Sequence, residues 1–316
     1  MNLTRIATGL RFPEGPIAME DGTVVLVEIA RGTLTRVFPD GRTEIIANLG
    51  GGPNGAAIGP DGWCYVCNNG GFEWRESRGR LFPGDQPADY SGGRIEKVNL
   101  KTGEFQVLYT ECEGRPLRGP NDIVFDRHGG FWFTDLGKTR ERERDRTGVF
   151  YAQADGSEIR EVLFPVDGAN GIGLSPAEDE LYVAETITGK LWAYKIVSPG
   201  MIERRPSDWP RVDRADGGRL LSGVPGHYLY DSLAVDSAGH VCVATLGKGG
   251  ISVIDPTGNE APRLVEMPDP LTTNICFGGQ GLRTAFVTLS SIGELVSIDW
   301  PVAGLPLNYL NYHHHD

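Results

Sequence analysis

The sequence predicts an all-β fold, a six-bladed β-propeller with four-stranded antiparallel blades around a central channel, and three observations predict it. One hairpin pattern recurs six times along the 316 residues. After each hairpin comes further strand-like sequence with its own turn, which makes roughly four strands per unit. The 44 glycines and 21 prolines supply many tight turns, while helical periodicity of any length is hard to find. Radial repetition of such units leaves only short, protected sheet edges, whereas a pair of β-sandwiches would not need six matching hairpins.

The elements follow in order. Unit one opens with "PEGPIAMEDGTVVLVE" from Pro13 and continues with "GTLTRVFPDGRTEII"; each apolar stretch alternates or is β-branched, and each turn carries Asp-Gly. Unit two, "PNGAAIGPDGWCYVCN" from Pro53, is interrupted by the least regular stretch of the chain, "GGFEWRESRGRLFPGDQPADYS" from Gly70 to Ser91, before "GRIEKVNLKTGEFQVLY". Loops of that length in compact domains are usually lids or binding loops. Unit three, "PNDIVFDRHGGFWFTD" from Pro120, leads through the mixed-charge run "KTRERERDR" (Lys138 to Arg146), read as a solvated loop, into "GVFYAQADGSEIREVL". Units four to six are "ANGIGLSPAEDELYVAE" from Ala169 with "GKLWAYKI", "YDSLAVDSAGHVCVAT" from Tyr230 with "GGISVIDPTGNEAPRLV", and "TNICFGGQGLRTAFVT" from Thr273 with "GELVSIDW". A propeller must close, so the first residues, "NLTRIAT", are expected to pair with the last blade, and residues 1–316 are read as one domain with a lid-like insertion at about 70–91.

Composition excludes several function classes. A formal net charge of −12 argues against nucleic-acid binding, which needs clustered Lys and Arg. No stretch approaches the roughly 18 continuous apolar residues of a membrane span, and the N-terminus lacks a basic segment followed by an apolar core, so a cytoplasmic protein without a membrane partner is expected. Five scattered cysteines do not form a disulfide framework. Cys64 and Cys67 make a CxxC, but "WCYVCN" alternates like a strand and sends residues three apart to opposite faces, which disfavours zinc. The terminal "YHHHD" is given no functional weight.

Aligning the six hairpins puts one polar residue at the same place in each: Glu14, Asn54, Asn121, Asn170, Asp231 and Asn274. Equivalent positions on six innermost strands face one another across the channel. A second column lies fourteen residues further on, fifteen in unit four: Glu28, Asn68, Asp135, Glu185, Thr245 and Thr288. A hairpin reverses direction, so both columns belong at one mouth of the channel. In a single repeat, Asn or Asp here would be read as a turn former. Six coincident positions, one of them the poor turn former Glu14, point instead to a shared site. Two carboxylates crowded with amide oxygens repel unless a cation neutralises them. All-oxygen donors suit hard ions such as Ca²⁺, Mg²⁺ or Mn²⁺, and the lack of His and Cys in the columns speaks against a typical zinc site. Asp122, next to Asn121, is expected to point away from the channel by strand alternation and to be structural.

The strings "FPEGP" (Phe12 to Pro16), "GPNDIVFD" (Gly119 to Asp126), "ANGIGLSP" (Ala169 to Pro176) and "YDSLAVD" (Tyr230 to Asp236) occur in the order found in the gluconolactonase family, also called the senescence marker protein 30 or regucalcin family, which the chain resembles over nearly its whole length. The calcium-dependent phosphotriesterase propellers are a more distant likeness. The resemblance implies one divalent metal ion in the channel, Ca²⁺ first with Mn²⁺, Mg²⁺, Zn²⁺ and Fe²⁺ as alternatives, and hydrolysis of a small-molecule lactone, by a monomer or small homo-oligomer. It makes Glu14, Asn170 and Asp231 metal ligands, with Asn121 a fourth ligand or a substrate contact. In sugar-lactonase members an Arg lies close before that Asn; here Arg118 stands three positions before it, with Gly119 and Pro120 between. Asn54 and Arg118 join Asn121 as substrate-facing candidates. Asp231 is the first choice of base, with Asp135 and Glu185 as alternatives that, like Asn274, otherwise orient the inner groups. A divalent cation polarises a lactone carbonyl and stabilises the developing oxyanion while a carboxylate takes a proton from the attacking water. In the insertion, Phe72, Trp74, Phe82 and Tyr90 form either a small core of their own or part of the pocket. If Phe72 and Trp74 line the pocket, a small apolar or aromatic lactone stands beside a sugar lactone as substrate. His227 and Tyr230 are rim candidates. The alternatives are a calcium-dependent phosphotriesterase at the same site and a calcium-binding propeller without turnover.

Overall fold

The computed structural model describes residues 3–204, 217–223 and 228–312. Among them, six antiparallel sheets of the kind expected form the six blades of a β-propeller. Blade one is Pro13–Ala18, Val24–Glu28, Thr33–Val37 and Thr43–Asn48; blade two is Pro53–Ile58, Cys64–Asn68, Arg94–Val98 and Phe105–Tyr109; blade three is Pro120–Phe125, Gly130–Asp135, Thr147–Gln153 and Ile159–Val166. Blade five is Leu229–Val235, Val241–Leu246, Gly250–Ile254 and Arg263–Glu266. Blade six takes three strands from the end of the chain, Thr272–Gly278, Thr284–Leu289 and Glu294–Asp299, and its fourth, Leu3–Ala7, from the beginning. Leu3 pairs with Ile298 and Thr4 with Ser297, so the two ends of the chain close the ring as the sequence predicts.

Blade four departs from the quoted pattern. Ala169–Leu174, Glu180–Glu185 and Lys190–Ser198 are followed by a short strand, Met201–Ile202, while the outer edge is completed by Arg219–Gly223, which pairs Leu191 with Ser222. That outer strand, "RLLSG", is short and lies beyond the proline- and charge-rich "ERRPSDWPRVDRADGG", so no turn signal marks it as the partner of "GKLWAYKI".

The second strand of each hairpin is buried on both faces, because each blade is sandwiched between its neighbours. The sequence therefore reads as an unbroken apolar run, as in "VVLV" and "FWF", where an exposed sheet would alternate. Cys64 and Val66 pack with Val25 and Val27 of blade one, while Tyr65 and Cys67 pack with Phe125, Phe131 and Phe133 of blade three. Cys64 and Cys67 thus sit on opposite faces, both buried and unpaired, as strand alternation requires. Aspartates at the hairpin turns accept backbone N–H groups two residues on: Asp21 from Thr23, Asp61 from Trp63, Asp126 from His128 and Asp236 from Ala238. At the end of the channel away from the columns, the C-terminal segment lies across the opening, with Leu305 N–H donating to Val235 O and Asn308 Nδ2 donating to Phe125 O and to Glu178.

Candidate functional site

In all six blades the register between the innermost strand and its neighbour slips at the first column. The irregularities fall at Glu14/Ile17, Pro53/Ala56, Pro120/Ile123, Ala169/Ile172, Tyr230/Leu233 and Thr272/Asn274. A bulge inserts an extra residue, breaks the two-residue alternation and re-aims side chains. After the bulge, blades one, two and four carry Gly15, Gly55 and Gly171. A Cβ at these positions would lie 2.4 Å from Asn54 O, 2.4 Å from Asn121 O and 2.5 Å from Asp231 O. The absent side chains let each innermost strand press its backbone onto the column residue of the next blade. Gly15 also has φ +51, and Phe12, three residues before it, holds φ +58 without being glycine. Such strained non-glycine backbone concentrates at functional sites.

In the first column, side chains of neighbouring blades meet at Glu14 and Asn274 and at Asn170 and Asp231. Asn274 Nδ2 donates to Glu14 Oε2 at 2.6 Å, and Gly15 N–H donates to the same oxygen at 2.7 Å. Asn170 Nδ2 donates to Thr186 Oγ1 at 2.9 Å, which fixes the amide and leaves its oxygen to the channel. The Oδ1 atoms of Asn121 and Asn170 are buried and find no hydrogen-bond partner among the described residues. Burial raises the Glu14 carboxyl above its ordinary range. Burial, then the charge of Glu14, and also that of Asp122, push Asp231 well above its own. Glu14, Asn54, Asn121, Asn170 and Asn274 are all 5 % exposed or less.

The second column does a repeated local job. Each acceptor in it binds a backbone N–H in the turn two or three residues before the first-column residue of its own blade: Glu28 takes Arg11, Asn68 takes Gly52, Asp135 takes both Arg118 and Gly119 at 2.7 Å, and Glu185 takes Asp167 at 3.4 Å. Asp135 is buried, and desolvation raises its carboxyl despite these donors and Lys138 nearby. Thr288 bonds to Thr273 and Asn274 O, and Thr245 to Ser252.

Asp122 departs from the expectation set by alternation. The bulge turns it inward, where it lines a cavity of about 370 Å³ that continues the channel below the ring. Its carboxyl accepts from Ile172 N–H of blade four and from Ser232 of blade five, so it ties down the residues that follow Asn170 and Asp231. Burial, then the Glu14 charge, raise it to about 8. The cavity walls are otherwise mainly apolar, including Ile17, Ile58, Phe125, Leu233 and Phe277, and the C-terminal segment lines its far end.

Other predicted residues are placed as follows. Arg118 is exposed, its carbonyl accepting from Tyr90 Oη at 2.5 Å. Asn54 is buried on the innermost strand of blade two. Trp74 packs on Phe12 at 5.0 Å between ring centroids and on Phe72 at 6.1 Å, giving the insertion a small aromatic core beside the turn that leads to Glu14. Tyr230 is fully buried with its hydroxyl bonded to Ser222, so it is not a rim residue, and His227 lies outside the described residues. Lys138 corrects the reading of "KTRERERDR" as wholly solvated: it is 1 % exposed, with Nζ donating to Asn69 Oδ1 at 3.0 Å and Gly71 O at 2.5 Å and lying 3.9 Å from the Phe72 ring centre.

The donor set fits a hard divalent cation. No group of three or more His, Cys, Asp or Glu side chains suited to a metal occurs among the described residues, so any ion here must use amide oxygens as well as acids. A buried carboxylate, Glu14, a half-buried one, Asp231, and two partnerless amide oxygens supply that mixture.

Residues 12–291 match the family described as the SMP-30/Gluconolactonase/LRE-like region. Over 309 residues the chain is 26% identical to a gluconolactonase of Zymomonas mobilis, covering 90% of this chain and 78% of that protein. It is 27% identical over 247 residues to lactonase drp35 of Staphylococcus haemolyticus, covering 78% of this chain and 66% of that one. A calcium-binding protein, regucalcin, from Agrobacterium tumefaciens superposes with a TM-score of 0.73 at 18% identity, over 98% of this chain and 97% of the other, a likeness of fold.

Proposed function

Since the chain belongs to the SMP-30/gluconolactonase/LRE-like family, we propose that it is a metal-dependent lactonase that opens the ester bond of a small lactone with water. The observation that carries this reading is the pair of partnerless buried oxygens, Asn121 Oδ1 and Asn170 Oδ1, at the equivalent positions of the innermost strands that also carry the carboxylates of Glu14 and Asp231. Buried polar atoms are nearly always bonded, and two amide acceptors beside two acids can only be satisfied by donors or a cation.

Glu14, Asn121, Asn170 and Asp231 would hold the ion, Ca²⁺ first among the candidates for an all-oxygen set. When bound, a divalent cation supplies a fixed positive charge that polarises an ester carbonyl and favours the ionised form of the acids around it. The remaining work belongs to the chain. Asn274 and Gly15 N–H hold Glu14, Thr186 holds Asn170, and Asp122 secures the strands behind Asn170 and Asp231. Asp135 and Glu185 fix the turns ahead of Asn121 and Asn170. Asp231, ionised, accepts a proton from the attacking water as the water's oxygen bonds to the carbonyl carbon. The proton then returns to the ring oxygen as the ester bond breaks. Asn54 and Asn121 line the same ring and offer amides to the lactone's oxygens.

The test is to strip divalent ions, restore them one at a time and follow proton release from a panel of lactones beside matched phosphotriesters. Turnover of a lactone that returns with one ion, and is lost in Asp231→Asn, supports the reading. Turnover of phosphotriesters alone, no lactone turnover with any ion, or an undiminished Asp231→Asn, overturns it.

A further inference from the structure

The insertion between Cys64–Asn68 and Arg94–Val98 does not stay on its own blade. It folds into a hairpin, Trp74–Ser77 with Arg80–Pro83, that runs along the rim of the mouth over the inner turn of blade one and reaches blade six. Trp74 rests on Phe12 of that turn. At the tip, Leu81 is buried and its N–H donates to Ser291 O at 2.8 Å; Arg80 Nη1 donates to Asp269 Oδ1 at 2.8 Å and to Ser291 Oγ at 3.0 Å.

The two ends of this strap are held differently. Its root is fastened to blade three by buried Lys138, which binds Asn69 and Gly71 and faces the Phe72 ring, by Gln86 N–H to Thr139 O at 2.9 Å, and by Tyr90 Oη to Arg118 O. Its tip is held by Leu81, buried in the apolar cluster that includes Phe12, by one backbone bond, and by a single side-chain polar anchor, Arg80, whose side chain is 33% exposed. The partner Asp269 is fully buried and organised by blade six itself, accepting from Leu271 N–H, Ser291 N–H, Ser291 Oγ and Ile292 N–H. The receptor for Arg80 therefore persists when Arg80 leaves, which is the arrangement of a releasable latch rather than of a permanent brace. Of the ring side chains beneath, Glu14, Asn54, Asn121, Asn170 and Asn274 are almost fully buried and Asp231 is half-buried, so what passes the rim decides what reaches them.

We propose that Arg80 is a specificity-determining residue: latched on Asp269, the hairpin restricts the site to lactones with short substituents, and lactones with long apolar substituents are admitted only when the tip swings out while the root stays on blade three. The substrate part of this inference rests on the lactonase reading; the motion does not.

The experiment compares the wild type with Arg80→Met, which keeps the aliphatic stem, and Arg80→Lys, which keeps the charge. Backbone hydrogen exchange is followed across residues 69–93, and kcat/KM is measured for γ-butyrolactone and for a γ-lactone carrying an eight-carbon chain. Arg80→Met should speed exchange in 74–83 about tenfold, equivalent to about 1.4 kcal/mol, leave 69–72 protected, and raise the long-to-short kcat/KM ratio by a similar factor. Arg80→Lys should stay near wild type in both. Unchanged exchange in 74–83, or faster exchange spread equally over root and tip, overturns the latch whatever the lactones show. A changed tip with an unchanged substrate ratio overturns the specificity role. If neither lactone is turned over by any form, the lactonase reading and the specificity role fall together, while the exchange result still decides the latch.

Discussion

Free of divalent ions, the protein should lose stability as the pH rises from 5 to 7. The groups responsible are buried acids of the channel. Burial and the Glu14 charge raise Asp122 from its ordinary 3.8 to about 8, and Glu14 and Asp231 are raised in the same direction. A carboxyl whose folded pKa lies above its unfolded value holds its proton more tightly in the folded state. Its stabilising contribution is complete below the unfolded value and is lost as the pH climbs toward the folded one. For Asp122 that window runs from 3.8 to about 8. Inside it each pH unit costs about 1.4 kcal/mol per group, so the step from pH 5 to 7 costs about 3 kcal/mol from Asp122 alone. Lys138 works the other way but only above about 7, outside this interval. A bound divalent cation offsets the ionised acids, so stabilisation by Ca²⁺ should grow with pH. The assay is urea unfolding at pH 5, 6 and 7, with ion-stripped protein and with excess Ca²⁺, for the wild type and Asp122→Asn. The expected result is a falling midpoint without ions, a nearly level one with Ca²⁺, and a shallower fall in the ion-free variant. Ion-free stability that is level or rises from pH 5 to 7, or an Asp122→Asn profile as steep as wild type, would refute the reasoning.

Two further predictions address the scaffold. Gly171→Ala places a Cβ 2.5 Å from Asp231 O and 3.0 Å from Leu233 N, so the innermost strands of blades four and five must separate. Overpacking of this kind costs about 1–3 kcal/mol; the thermal midpoint should drop and the Ca²⁺-induced rise should vanish, and a variant that keeps both would show that the close approach is not needed. Burial lowers Lys138 from 10.5 to about 7 in the folded state, against the pull of Asp135 and then Asp145. The folded protein therefore binds fewer protons than the unfolded chain between those values, and stability gains with pH across that window. Lys138→Met should lack this gain between pH 7 and 9 when unfolding midpoints are compared, and a variant that parallels the wild type there would contradict it.

The fold was legible because a propeller repeats its own instructions. Four of the six hairpins turn on an aspartate that accepts the backbone N–H two residues on, and the doubly covered second strands leave apolar runs such as "VVLV". Ring closure followed from topology alone, since an unpaired edge on the last blade needs a strand and only the chain's start remained to supply it. Blade four was harder because its fourth strand lies past a long, polar excursion, and local pattern carries no information about which distant segment will pair.

The candidate site was legible only as far as periodicity holds. Six aligned polar positions revealed the ring, but the rule that adjacent strand residues face opposite ways hid Asp122, because every innermost strand carries a bulge at that place. The glycines were the available signal. Gly15, Gly55 and Gly171 occupy the position after the column in three blades, where a strand would favour a larger residue, and their recurrence marks both a broken alternation and a close approach of backbones. Read that way, Asp122 is the one repeat where this position carries an acid, reaching across to Ile172 N–H of the next blade and Ser232 beyond it. Lys138 escaped for a different reason. A charged run is normally solvated, and only the folded insertion brings Asn69, Gly71 and Phe72 around that one amine. Repeats thus expose what every blade shares, whereas the features that distinguish this chain's mouth, the acid behind the ring and the strap above it, arise where a single blade departs from the repeat.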